Sequence, residues 1–383
     1  MTPASGPGLL LAVSLSVAAL APAPVAAAAP QTTPSPEPVP PSLPEPSPEA
    51  TPLPAGPPKV QVTGLVDVYY GYNGNGVNPS LRAFDVQHDA FSLSLAEVAF
   101  TKTPTTGSRL GFRADLDFGK TAEIVASFEP DDADREIYQY IQQAYVSVLA
   151  GSRVQVDAGK FVTPHGAEVI ESQDNWNYTR SILFGYAIPF YHFGVRATVP
   201  VTKTLSVAGY LVNGWNNGAE LHGAKAFALG ATVEPSDAFT WVGNYMVGKE
   251  GEGLATRHLF DTTLTVAAAS KLSLMGNFDY GKEGAVRWWG AAAYAKLQAT
   301  PSWALAGRYE YVDDTRGGFM TFGTKAQSVT LTSDYTIAGA LKARLEYRTD
   351  FADEDVFETD DGSLRGSQTT LTVGVVCSFG GSF

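Results

Sequence analysis

The last sixteen residues, Gln368–Phe383 (QTTLTVGVVCSFGGSF), sort by parity. Leu371, Val373, Val375, Cys377, Phe379 and Gly381 share one parity, which ends on Phe383. The other holds Thr370, Thr372, Gly374, Val376, Ser378, Gly380 and Ser382. Successive side chains of a strand point to opposite faces, so this segment predicts a strand with one apolar face and one small or polar face.

What such a strand belongs to depends on where the chain resides. Leu9–Leu20 is an apolar run followed by Ala21–Ala29, which offers A-x-A-like cleavage sites; residues 1–28 therefore read as an export signal, unusual only in having no Lys or Arg before the run. No other stretch approaches the length of a membrane-crossing helix. An exported membrane protein without spanning helices has one remaining architecture, a closed β-barrel, because lipid cannot satisfy an open sheet edge. A terminal Phe383 is similar to the C-terminal signature of bacterial outer-membrane barrels, which implies recognition by the barrel-assembly machinery.

Composition narrows the partners. Lys+Arg 26 against Asp+Glu 39 gives a net charge of −13, which argues against nucleic acid. One cysteine, Cys377, permits neither an internal disulfide nor a cysteine-built zinc site, and on its apolar face it reads as a small hydrophobe. The acidic run Asp353–Asp361 lacks the regular spacing of a calcium loop, and no metal, cofactor or catalytic group is expected.

Residues 29–58 hold 13 of the 25 prolines and read as an extended, solvated periplasmic linker. From Lys59 to Phe383, short segments of alternating polarity replace helical apolar spacing. Sixteen are found, from Val60–Tyr72 to Gln368–Phe383, with Phe91–Lys102 ambiguous in its face. The predicted fold is an all-β, antiparallel up-and-down transmembrane barrel of about sixteen strands, fourteen and eighteen being the neighbouring counts. Its connections alternate long and short, as they do between outer loops and periplasmic turns, with Lys249–Arg257 and Gly281–Val286 more modest. The eight prolines of this region fall in the predicted turns and loops, as strand ladders require.

A charge facing acyl chains is costly, so ionic rows predict the inward faces. These rows place Arg109, Arg113, Asp115, Asp117, Arg308, Glu310, Lys342, Arg344, Glu346 and Arg348 toward the lumen, together with Asp67, Arg153, Asp157 and Asp350. The mixed signs either pair across strands and stiffen the wall or set a transverse field across a pore. The segments Gly119–Tyr138 and Ala352–Ser367 carry the excess acid and predict a charged, solvated rim.

Val162–Tyr191, the longest connection, contains Trp176, Tyr178, Ile182, Leu183, Phe184, Tyr186, Ile188 and Phe190, too apolar for a solvent loop. Around it runs GKFVTPHGAEVIESQDNWNYTRSILFGYAIPFYHFGVRAT, with VTGLVDVYYGY before and NGWNN after. In these segments the chain resembles the β-barrel porin family described as OmpL-like, most strongly between Gly159 and Trp215. The resemblance carries Lys160, Thr163, Gly166, Glu168, Asn177, Arg180, Ser181, Pro189, His192, Gly194, Arg196 and Trp215 as pattern members. It implies an outer-membrane porin passing small hydrophilic solutes, narrowed by this connection folded inward, with Glu168, Arg180 and Arg196 at the constriction. Contacts with outer-membrane lipid and lipopolysaccharide follow, and a homotrimer has precedent among general porins. The alternatives are a barrel enzyme such as a phospholipase, a plugged structural or adhesive barrel, and a soluble β-sandwich. The five histidines show no nucleophile motif that would support the enzyme.

Overall fold

A computed structural model describes residues 59–383 apart from 130–134, 137, 219–223, 252 and 383. The export signal, the Pro-rich linker, Asp131, Asp132, Asp134, His222 and Phe383 lie outside the described residues. The strands are β1 (Gln61–Asn73), β2 (Ala90–Lys102), β3 (Leu110–Phe118), β4 (Ile141–Ala150), β5 (Val154–Val162), β6 (Tyr191–Pro200), β7 (Leu205–Val212), β8 (Ala226–Ser236) and β9 (Phe239–Lys249). They continue as β10 (Thr256–Ala269), β11 (Leu272–Glu283), β12 (Val286–Thr300), β13 (Trp303–Arg316), β14 (Lys325–Ala338), β15 (Leu341–Ala352), the two-residue β16 (Phe357–Glu358) and β17 (Leu364–Arg365), and β18 (Ser367–Ser382).

Sixteen strands form one closed antiparallel barrel in sequence order, with β18 between β15 and β1 and Gln61 opposite Ser382. The pair β16–β17 makes a separate small hairpin in the last connection. Closure leaves no strand edge unpaired, which is what a sheet in hydrocarbon requires. One barrel end carries short turns such as 151–153, 237–238 and 339–340, while 74–89 and 163–190 lie at the other.

The faces divide as the alternation dictates. On β18, Leu371, Val373, Cys377 and Phe379 are exposed while Thr370, Thr372, Gly374 and Val376 are buried. On β15, Leu345, Tyr347 and Phe351 are exposed while Arg344, Glu346, Arg348 and Asp350 are buried. Continued around the barrel, these rows form an apolar outer surface far larger than a soluble monomer exposes.

The structure also departs from the pattern in instructive places. Across β1–β2 the register shifts at Asp67/Val68, so that Leu95 faces Asp67 and Leu93 faces Val68. Ser94 is the extra residue of this β-bulge, which sends Leu93 outward and Leu95 inward although they share a parity. That is why the segment has no single apolar parity.

Helical structure, absent from the sequence reading, occurs in two connections. Lys120–Ser127 forms helix α1, which buries Thr121, Ala122, Val125 and Ala126 along one face. Ser172–Asp174 forms one 3-10 turn and Leu183–Ala187 one π-helical turn.

Pro200 and Pro235 lie inside strands rather than in turns, Pro200 ending β6 and Pro235 sitting at the register shift between Val233 and Ser236. Neither position needs a ladder donor. Arg109 and Arg153 are corrections to the inward rows, since both are exposed and precede their strands at the short-turn end. Glu129 corrects the solvated rim: it is buried, and its Oε2 accepts bonds from the Tyr191 hydroxyl at 2.8 Å and the Gly218 amide at 2.7 Å.

Candidate functional site: the 163–190 connection and the inward rows

A connection without a ladder must find partners for its backbone amides and carbonyls elsewhere. Inside the 163–190 segment, Asn175 supplies some of them. Its Oδ1 accepts the Val169 amide at 2.9 Å, and its Nδ2 donates to the carbonyls of Val169 at 2.8 Å and Glu171 at 3.0 Å. The rest come from wall side chains of both signs.

Glu346 accepts the amides of Tyr178 at 2.6 Å and Thr179 at 3.0 Å, and Glu310 accepts that of Ile182 at 2.7 Å. Asp67 accepts the hydroxyls of Ser172 at 2.6 Å and Tyr178 at 2.8 Å. Guanidinium groups take the carbonyls. Arg308 donates to Thr179 O at 2.6 Å, Arg348 to Arg180 O at 2.6 Å, and Arg344 to Asn175 O at 3.0 Å and to Ser172 O. Lys342 reaches Gln173 O at 3.3 Å. The mixed charge of the rows thus has a local reason: amides need carboxylates and carbonyls need cations.

The charges also neutralise one another. Arg308 pairs with Glu168 at 2.6 Å and Glu310 at 3.8 Å; Arg348 pairs with Asp350 at 2.7 Å and Glu310 at 3.5 Å; Arg344 pairs with Asp334 at 2.8 Å. A buried pair gives little net stability, but removing one member strands the other and costs about 3–5 kcal/mol.

The three expected constriction residues do not form one cluster. Glu168 ties the connection to the wall through Arg308 and holds the Ser181 amide at 2.7 Å. Arg180 donates to the carbonyls of Tyr178 at 2.6 Å, Val169 at 3.2 Å and Ile170, with its guanidinium 5.1 Å from the Phe84 ring centre. It shapes the connection from within. Arg196 belongs to a separate neighbourhood, paired with Asp157 at 2.8 Å and lying over the rings of Tyr145 and Phe161. Arg113 pairs with Asp115 at 2.8 Å, and Asp117 accepts from Gln142 at 2.8 Å.

The apolar side chains of the connection are buried as their composition requires. Trp176, Ile182, Leu183, Phe184, Ile188 and Phe190 join one cluster with wall residues including Leu65, Tyr210, Met246 and Trp288. Trp288 Nε1 donates to Ala187 O at 3.0 Å. Gly374 makes room for Tyr178, since a Cβ there would sit 2.5 Å from its ring. Gly374→Leu is therefore expected to push Tyr178 off Asp67 and Glu346 and to lower stability by about 1–3 kcal/mol. Urea unfolding together with protease sensitivity of the connection measures this, and wild-type values for both would refute the packing.

His165 is buried beside His192, ring centres 6.4 Å apart, with Nδ1 3.9 Å from Asp261 Oδ1. Burial, reinforced by the neighbouring His192, pushes its pKa down from 6.5 to about 3. A depressed folded value stabilises above the unfolded value, so stability should be lost as pH falls from 6.5 toward 3. His165→Gln should flatten that part of the pH–stability curve, and an unchanged curve would count against this origin.

Arg82 was not legible as a site residue. It pairs with Asp350 at 2.9 Å and Asp85 at 3.5 Å, bringing the first connection onto the same wall. Glu97 was hidden by the bulge at Ser94.

The family model described as "Putative beta-barrel porin-2, OmpL-like" matches residues 59–379. The chain belongs to this family. Membership, with the closed barrel and its apolar outer surface, places this porin-family chain in the outer membrane. No curated protein sequence matches it.

Solved structures share the fold at low identity. The anion-selective porin of Comamonas acidovorans aligns with TM-score 0.57 and 12% identity over 84% of this chain and 100% of its own. OmpF of Salmonella typhi, in complex with daunomycin, aligns with TM-score 0.58 and 11% identity over 84% and 97%. The trimer form of Vibrio cholerae OmpT gives 0.55 and 10% over 85% and 100%.

Proposed function

We propose that this protein is an outer-membrane porin through which small hydrophilic solutes diffuse passively, narrowed by the 163–190 connection folded into the bore. The observation that carries the reading is the bonding of that connection to wall charges: Glu310 and Glu346 hold its amides while Arg308, Arg344 and Arg348 hold its carbonyls. Charged anchors fix a loop at a set depth, and sixteen-stranded barrels are wide enough for an aqueous channel. In this reading Glu168 and Arg180 set the shape of the constriction and Arg196 charges the wall beside it.

The same reading assigns residues 1–28 to export, 29–58 to a periplasmic tether and Phe383 to the assembly machinery. Lipopolysaccharide contacts the outer rows, and a homotrimer is the proposed assembly, after the form in which the Vibrio cholerae protein is described. The chain acts as a passive conduit, not an enzyme.

A plugged, non-conducting barrel is the second reading. It is favoured by the fully buried side chains of Arg308, Arg348 and Glu310, which close connection and wall tightly on each other. Swelling of vesicles containing the refolded protein in sugars of increasing size separates the two. The porin reading expects rates that fall with solute size, the plugged barrel no swelling in any sugar.

A further inference from the structure

We infer that Asp261 of β10 and Asp279 of β11 hold one proton between them and act as a pH-sensitive latch on the start of the 163–190 connection. The latch goes beyond the porin reading and does not depend on conduction.

Asp261 stands opposite Asn244 of β9 on one side and Asp279 on the other, and both aspartates are fully buried. Asp261 is supplied with donors: Asn244 Nδ2 reaches its Oδ1 at 2.8 Å and Asn277 Nδ2 its Oδ2 at 3.2 Å. Asp279 has neither oxygen bonded to a donor. Its carboxyl group lies within hydrogen-bond reach of Asp261. Two carboxylates can only accept, so a bond between them requires a proton, and a carboxylic acid supplies one O–H donor. Without that proton, like charges directly opposite each other destabilise the strand pair.

The surroundings do not neutralise a second charge. β9 presents Asn244 and Met246 to β10, and β12 places Gly290 opposite Asp279, where a Cβ would sit 2.5 Å from Leu183 of the connection. Tyr294 and Lys296 of β12 stand further along, opposite Met275 and Ser273. Arg257 and Glu283, at the far ends of the same rows of β10 and β11, pair with each other at 2.8 Å. From the connection comes His165, buried, with both ring nitrogens unpartnered and Nδ1 3.9 Å from Asp261 Oδ1. Behind it, His192 is occupied by Thr163 Oγ1 at 3.1 Å and Gly214 O at 3.0 Å. His165 is thus aimed at the pair from a separate element, beyond hydrogen-bond distance.

Asp261 also holds the connection. Asn244 Nδ2 bridges it to Pro164 O at 2.8 Å, and the Gly166 amide lies against its carboxyl group. Gly166 has φ 91°, and a Cβ there would sit 2.5 Å from Ile188, so this turn fits closely. With the proton in place, the pair carries one charge, met by the Asn244, Asn277 and Gly166 donors. Loss of that proton to solvent leaves two adjoining buried carboxylates with no cation, which forces them apart and releases Pro164–Gly166. The folded chain then binds more protons than the unfolded one, so this contribution weakens as pH rises, in the opposite sense to His165.

Infrared spectroscopy of the refolded full chain in phospholipid vesicles at neutral pH tests the shared proton, beside Asp279→Asn. The wild type should show the carbonyl stretch of a protonated carboxyl group, and Asp279→Asn should lose part of that band. In this variant an amide N–H replaces the acid O–H, so the bond to Asp261 is kept. Protease cleavage within the connection reads the latch, corrected for the protease's own pH response on a peptide of the same sequence. The wild-type rate should rise about tenfold or more between about pH 6 and about pH 10, while that of Asp279→Asn changes little. A wild type without the protonated-carboxyl band overturns the pair, and that result needs no variant to fold. An equal band in both proteins, or an equal rise in cleavage, overturns it too. Neither readout requires current, so a silent barrel leaves the test intact.

Discussion

Arg308→Met should lower the stability of the folded barrel by about 3–5 kcal/mol, the largest effect expected of any single substitution in the wall. The Arg308 side chain is fully buried and holds three things at once: Glu168 at 2.6 Å, Thr179 O at 2.6 Å and Glu310 at 3.8 Å. Methionine fills much of the volume but leaves Glu168 with no cation and the Thr179 carbonyl with no donor. The cost is mainly the isolated Glu168 charge, so a second substitution, Glu168→Gln, should restore part of what the first removes. A double-mutant cycle in urea-induced unfolding from vesicles reads that coupling directly. Strict additivity would mean that the ion pair does not anchor the connection.

Leu345→Arg should cost about 2–4 kcal/mol, for a reason that has nothing to do with contacts. Leu345 lies on the exposed face of β15, opposite Val373 of β18. Its neighbour Arg344 is buried and bonded to Asp334 and to the 163–190 carbonyls. The same guanidinium is thus accommodated at one position and set against acyl chains at the next, because strand side chains alternate. Folding into phospholipid vesicles, followed by tryptophan fluorescence against urea, should show the loss. Wild-type stability for Leu345→Arg would contradict a lipid-facing outer row.

The strands and their faces were legible because a two-residue period is local, needing only neighbours such as Leu345 and Glu346 to be read. The bulge at Ser94 was not, since an extra residue erases the parity on which the reading depends. Helix α1 escaped notice because it is too short for a helical period to stand out. The apolar content of the long connection correctly required it to be buried. Its charged partners were invisible as partners, for Glu346 and Tyr178 are 168 residues apart and no local pattern links them. Hence the inward rows could be located, while the reason for their mixed signs emerged only when Glu310 and Glu346 met amides of the connection and Arg308, Arg344 and Arg348 its carbonyls. Arg82 illustrates the limit, as nothing in SLRAF distinguishes it from a solvated loop arginine, yet it bonds Asp350 on the far side of the sequence.

The most direct measurement is single-channel recording of the refolded protein in a planar bilayer under a salt gradient, with folding verified by heat-modifiable gel mobility. A porin gives steady conductance steps, and the sign of the reversal potential reads the net charge presented by the inward rows. A correctly folded barrel that leaves the bilayer silent would contradict the account and establish the plugged barrel in its place.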